Sequence, residues 1–358
     1  MITFTRNSIG TYVDSNGVIQ TAAIDAPRFD HDPTTNASLG LLVEESRTNF
    51  LTNSEHMDTG WVYQPSTTPP TTTSVKAPDG GLDARLFAIN GDRIRQDVTP
   101  STGAVIYTLS VYYKPNTDTT LQLFLFNSGS QANVTFDTTN PSNPTVTSGS
   151  GVMVDAGGGW FRASVTLSTA TNGGVVESMI YTDDGYLWGA QLEAGSFPTS
   201  YIPTSGSTLT RVVDLASISG TNFSSFYNQS EGTYFLNATT VDSGTTDDII
   251  YDGYVTIRDY IGGGIRRRDI PSSLGTFGFN PTQAPVSKVA VAFDSTSANA
   301  AFAGVLQTLD TSISNLPNSA TSLTIGGTGP SQMNKGHISH LTYWPKRLTD
   351  TSLQYLTQ

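Results

Sequence analysis

Over residues 49–204 the chain alternates short apolar runs with turn-forming stretches at regular spacing, the pattern of a β-sandwich or jelly roll. Residues 108–113, 121–126, 160–167, 175–181 and 186–193 read as strands, and the Thr, Ser, Pro and Gly of 64–74 and 138–151 read as loops. Leu121-Gln-Leu-Phe-Leu-Phe126 has apolar side chains at both parities, which predicts a central strand covered on both faces. Composition points the same way, since only 13% of the 358 residues are charged and good helix formers are scarce. One helix is expected, over 348–356, with Thr349 or Asp350 as its cap and Leu353 and Leu356 three apart. The fold class is therefore all-β.

Residues 1–48 read as an extended strap. Ser15-Asn16-Gly17 predicts a type I′ turn that pairs residues 11–13 with 18–20. Such a stretch has one short apolar run and cannot offset its own ordering entropy. Leu39, Leu41, Leu42 and Val43 are therefore expected to bury on a neighbouring sandwich, with Gly40 letting a second backbone come close. Residues 205–231 read as a linker leading into a first strand. Strands resume over 232–358, which predicts a second antiparallel sandwich ending in the short helix.

Charge and residue usage exclude several functions. Thirty acidic against 18 basic side chains give a net charge of −12, a field that repels phosphate backbones and anionic lipid, so nucleic acid is not an expected partner. The absence of cysteine removes disulfides and thiolate chemistry. No apolar run approaches the ~20 residues of a spanning helix and the first residues form no apolar leader, so a soluble product without membrane insertion is expected. Asp183-Asp184 and Asp247-Asp248 are adjacent pairs that cannot converge on one glycosidic bond from a strand. His337 and His340, three apart on a strand, face opposite ways, and Gly149-Ser-Gly151 and Gly262-Gly-Gly264 lack the context of a nucleophile elbow or a phosphate loop. No catalytic residue is expected. Arg266-Arg267-Arg268, the one basic run, reads as a solvated loop or as a docking point for an acidic neighbour.

The opening ITFTRNSIGTYVDSNGVIQTAAIDAPRFDHDP with SLGLLVEESRTNFLTNSE resembles a segment of bacteriophage virion proteins of the tail, fibre or capsid-appendage type. YLWGAQLEAGSFPTSYIPTSGSTLTRVVDLASI is similar to the end of a carbohydrate-binding-module-like jelly roll, and VSKVAVAF with GHISHLTYWPKRLTDTSLQYLT to the end of a concanavalin A-like or laminin-G-like sandwich. The resemblance implies a non-enzymatic structural protein on the virion exterior, made in the host cytoplasm. It would form a fibre or spike on head or tail, contact other virion subunits, assemble as a homotrimer or other homo-oligomer, and adhere to host-surface glycan. A capsid decoration or cement protein and a polysaccharide-degrading tail enzyme are the alternatives. The resemblance also implies aromatic stacking on sugar, for which Trp61 and Tyr63 are the candidates because they adjoin a polar loop and share one parity, with hydrogen bonds from Asn127 and Gln131. Tyr112, Tyr113, Trp160 and Tyr181 are further aromatic candidates. It implies no cofactor other than a structural calcium ion near Asn49 and Glu193, a site that Glu193 would equally vacate by pairing with an arginine.

Overall fold

The computed structural model describes residues 1–64, 69–88, 93–100, 106–168, 174–240, 247–253, 255–262, 265–272, 275–278, 288–307, 320–327 and 336–358. It is built almost wholly from antiparallel strands, in two sandwiches.

In the first sandwich, one six-stranded sheet runs in the order Thr145–Ser148, Ser130–Asp137, Thr120–Asn127, Val176–Tyr181, Arg93–Val98, Val62–Gln64. The second runs Ser150–Asp155, Phe161–Ser168, Ile106–Pro115, Gly185–Ala194, Arg85–Phe87, Thr71–Thr72. Strict alternation turns Leu121, Leu123 and Leu125 inward from the first sheet, where they meet Leu109, Val111 and Val165 of the second in one core. Each such leucine, fully withdrawn from water, contributes about 1.5–3 kcal/mol before entropy is counted.

The outer faces of the two sheets differ. Tyr112 and Trp188 on the second sheet, with Trp160 in the turn just before Phe161–Ser168, are covered by Ile19 of the N-terminal hairpin, by Ala77 and Ala84, and by Tyr201. The outer face of the first sheet has no such cover among the described residues: Phe124 and Phe126 are half-buried and belong to no core cluster. The strand Thr120–Asn127 is central, but it is covered on one face only, contrary to the expectation from its two apolar parities.

The second sandwich has two seven-stranded sheets, and residues 1–48 supply strands to both. Thr3–Thr5 pairs with Leu215–Ser219, and Ser38–Val43 pairs with Gly336–Trp344. Val43 enters the core beside Leu236 and Ile325, Leu42 is buried on the opposite parity, and Leu39 and Leu41 are half-buried. Gly40 has φ +96°, and a Cβ there would stand 2.4 Å from the Ile338 carbonyl oxygen, so only glycine lets these two backbones meet. The hairpin joins Gly10–Val13 to Ile19–Ala22 through a looser turn than type I′. Only Gly17 takes a positive φ, and the Asp14 carboxylate satisfies the amides of Asn16 and Val18 instead. The C-terminal helix is Asp350–Leu356; Thr349 Oγ1 accepts from the Ser352 amide at 3.3 Å, and Leu353 packs on Ala290, Ala292 and Ala301. Gly263 and Gly264 and the side chains of Arg266, Arg267 and Arg268 lie outside the described residues.

Where strap, first sandwich and the 205–231 segment meet, three arginines and two carboxylates are buried together. Arg28 donates to Glu44 Oε2 at 2.7 Å and to Asp214; Arg6 donates to Asp214 Oδ1 and Arg211 to Glu44 Oε2, both at 3.1 Å. Ser200 adds its amide and hydroxyl to Glu44 at 2.7 and 2.6 Å. Burial opposes ionisation of Glu44, but Arg211, Arg28 and Ser200 outweigh it and hold the carboxyl well below the usual carboxylate range.

Candidate functional site

The register of the first sheet sets its outer residues in transverse rows. One row runs Thr135, Gln122, Tyr181, Arg93, Gln64; the next runs Asn133, Phe124, Met179, Arg95, Val62; the third runs Gln131, Phe126, Glu177, Asp97. Two phenylalanines one pleat apart, a thioether and a tyrosine thus form an apolar strip, with amides and charged groups on both sides.

Most of the polar groups are held in place. Arg93 donates to Gln64 Oε1 at 2.7 and 3.1 Å and to the Tyr181 hydroxyl at 3.1 Å, with its guanidinium 5.8 Å from the Tyr181 ring centre. Gln122 donates to Asn133 Oδ1 at 2.7 Å. Arg95 grips Asp97 through two hydrogen bonds of 2.7 and 2.5 Å and reaches Glu177 at 3.2 Å, while Asp137, at the end of the face opposite Thr120, accepts from the amide and hydroxyl of Thr139 at 2.9 and 2.8 Å. The hydrogen bonds to Asp97 raise the pKa of Arg95 further. The side-chain rotamers of this surface are therefore set before any ligand arrives, which lowers the entropy cost of binding.

The residues singled out from sequence are distributed differently. Trp61 and Tyr63 share a parity, but it is the inner one. Trp61 is 6% exposed in the core and donates from its indole nitrogen to Asn53 O at 2.9 Å. Tyr63 packs against that core and donates to Met57 O, and burial pushes its hydroxyl up to about 12. Neither ring lies on the open face, because the parity they share points into the sandwich. Asn127 is also inward and donates to Val175 O at 3.0 Å. Gln131 is exposed, in the same row as Phe126 and Glu177. Tyr112, Tyr113 and Trp160 are buried, whereas Tyr181 lies on the open face. The residues that reasoning from sequence missed are Phe124 and Phe126; their signal was the second apolar parity of that strand.

Asn49 and Glu193 do not fit a calcium site. The Asn49 amide oxygen already accepts from the amides of Leu51 and Leu192, each at 3.1 Å, and its nitrogen donates to Ala190 O and Ile202 O. Glu193 accepts from Gln191 Nε2 at 2.7 Å, from the Thr199 amide at 2.9 Å and from the Thr199 hydroxyl. Both side chains are fully buried, with their oxygens committed to protein donors. No cluster of three or more metal-binding side chains occurs among the described residues.

No model of a known protein family matches the chain, and no curated protein matches it. Among solved structures it is similar to the CBM40 module of a Ruminococcus gnavus IT-sialidase, at 13% identity over 37% of this chain and 84% of that one, with a TM-score of 0.27. The same module bound to α2,6 sialyllactose gives 11% identity over 37% and 85%, again with a TM-score of 0.27. Domains LG4-5 of the mouse laminin α1 chain give 9% identity over 73% and 85%, with a TM-score of 0.21.

Proposed function

We propose that the outer face of the first sheet is a non-catalytic glycan-binding surface. The observation that carries this reading is the half-exposed strip of Phe124, Phe126 and Tyr181, flanked by pre-set amides, on a sheet whose partner buries its own outer face. Aromatic rings stack on the apolar C–H side of a pyranose while neighbouring amides and guanidiniums bond its hydroxyls. Asp97 and Glu177 are engaged by Arg95, and Asp137 by the amide and hydroxyl of Thr139, which leaves none of the three placed as a free acid or base against a glycosidic bond. The net charge of −12 favours a neutral sugar over a polyanion.

In the same proposal the protein is an exterior head or tail appendage of a phage virion, assembled as a homo-oligomer. The support is the resemblance of its opening and junction segments. Weak single sites then add up through many copies on one particle. Light scattering across micromolar concentrations tests assembly, and a monomeric mass would count against it.

The test of the site is titration of the intact chain and of a Phe124→Ala/Phe126→Ala variant with a panel of neutral oligosaccharides. The wild type should bind at least one, and the variant should bind it more than tenfold more weakly with unchanged thermal unfolding. Equal binding by the variant, or no binding across the panel, would defeat the assignment.

A further inference from the structure

A cavity of about 240 Å³ lies where the N-terminal hairpin, the second sheet of the first sandwich and the strand Gly336–Trp344 converge. It is separate from the aromatic face, being on the other side of the first sandwich. Its walls include Tyr12, Phe197 and Tyr112, with the guanidinium of Arg162 beside them.

The charges around it are unequally matched. Glu44 is bound by Arg28 and Arg211, Glu45 by Arg47, and Asp30 accepts from the Val13 amide at 2.6 Å and faces His337 Nε2 at 2.8 Å. Arg162 differs. It donates through Nη2 to Ser110 Oγ at 3.1 Å and lies 5.2 Å from the centre of the Tyr112 ring, but it has no carboxylate partner among the described residues, and its buried Nε has no hydrogen-bond partner. Tyr112, only 7% exposed, likewise has no partner for its hydroxyl among the described residues. Behind the Glu44 wall, the guanidiniums of Arg6, Arg28 and Arg211 are balanced by Glu44, Asp214 and the nearby Glu193. A cation without a counter-ion and a hydroxyl without an acceptor therefore line one half-open cavity.

We infer that this cavity binds a small carboxylate on a single ring, of uronic acid size. Its carboxylate would lie against Arg162 and accept from the Tyr112 hydroxyl, and its ring would rest between Tyr12 and Phe197. A guanidinium fork matches a carboxylate in plane, and charge-assisted hydrogen bonds are the stronger ones. The volume falls below the ~300 Å³ at which pockets for drug-sized ligands begin, which sets the single-ring limit.

The probes are glucuronate, its neutral counterpart glucose and the cationic glucosamine, titrated calorimetrically into the full chain. Glucuronate should bind at least tenfold more tightly than either and raise the unfolding temperature. Arg162→Gln should lower its affinity more than tenfold, and Tyr112→Phe several-fold. The comparison of sugars on the wild type stands even if a variant fails to fold. The Phe124→Ala/Phe126→Ala variant should bind glucuronate normally, which separates this site from the proposed glycan face. Equal binding of glucose, preference for glucosamine, no binding of glucuronate, or full affinity in a folded Arg162→Gln chain would each overturn the inference.

Discussion

Arg28 and Asp214, 186 positions apart in the chain, form an ion pair in which neither side chain is exposed to solvent. The pair ties the strap to the segment between the sandwiches, and Arg6 and Glu44 extend it on either side. Breaking a buried pair leaves an uncompensated charge, so the cost exceeds the worth of the contact itself. Asp214→Ala should destabilise the protein by about 3–5 kcal/mol, because it strips Arg6 of its carboxylate and leaves Arg28 with Glu44 alone. Urea denaturation with tryptophan fluorescence measures this, and a change under 1 kcal/mol would show that the hub is not holding the junction.

Glu55 supplies a pH dependence of opposite sign to that of Glu44. Burial first, then Asp83 and Asp79, pushes its carboxyl up to about 7 despite the hydrogen bond from the Tyr201 hydroxyl at 2.8 Å. A carboxyl with a raised folded pKa holds its proton longer in the native state, so its contribution favours folding at low pH and is lost as pH rises from the ordinary glutamate value through about 7. Glu44, held low, contributes above the ordinary value and loses that contribution as pH falls. Thermal unfolding of Glu55→Gln against wild type should show the variant gaining relative stability between pH 5 and pH 8. A constant difference across that window would contradict the assignment.

Trp61→Ala should cost about 3–5 kcal/mol through the cavity it leaves and the bond to Asn53 it removes. Phe124→Ala, on the open face, should cost far less. The contrast is the check: equal losses in chemical denaturation would mean that the outer face is packed after all.

Gly40→Ala should destabilise the strap by more than the ~1–2 kcal/mol of a left-handed backbone, since its Cβ would also strike the Ile338 carbonyl at 2.4 Å. Hydrogen exchange should report the loss as faster exchange along Ser38–Val43 and its partner strand, while the core strand Thr120–Asn127 keeps its protection. Unchanged exchange along Ser38–Val43 would refute the close approach as a constraint.

Local chemistry determined the strand class, the inward leucines of Thr120–Asn127 and the capped C-terminal helix. Each follows from a period of two, or from a hydroxyl within reach of a free amide, and needs no distant partner. The candidate face was not legible in the same way. Period two divides a strand into two sets of side chains but does not say which set another layer will cover. That was decided when the hairpin and Tyr201 came to rest on the second sheet, leaving Phe124 and Phe126 open on the first and enclosing Trp61 between them. The hub and the cavity depend still more on long-range folding. Arg28, Glu44, Arg162 and Asp214 lie far apart in sequence, and only the meeting of strap, sandwich and connecting segment removes their water and makes their pairing, or the lack of a partner at Arg162, carry energy.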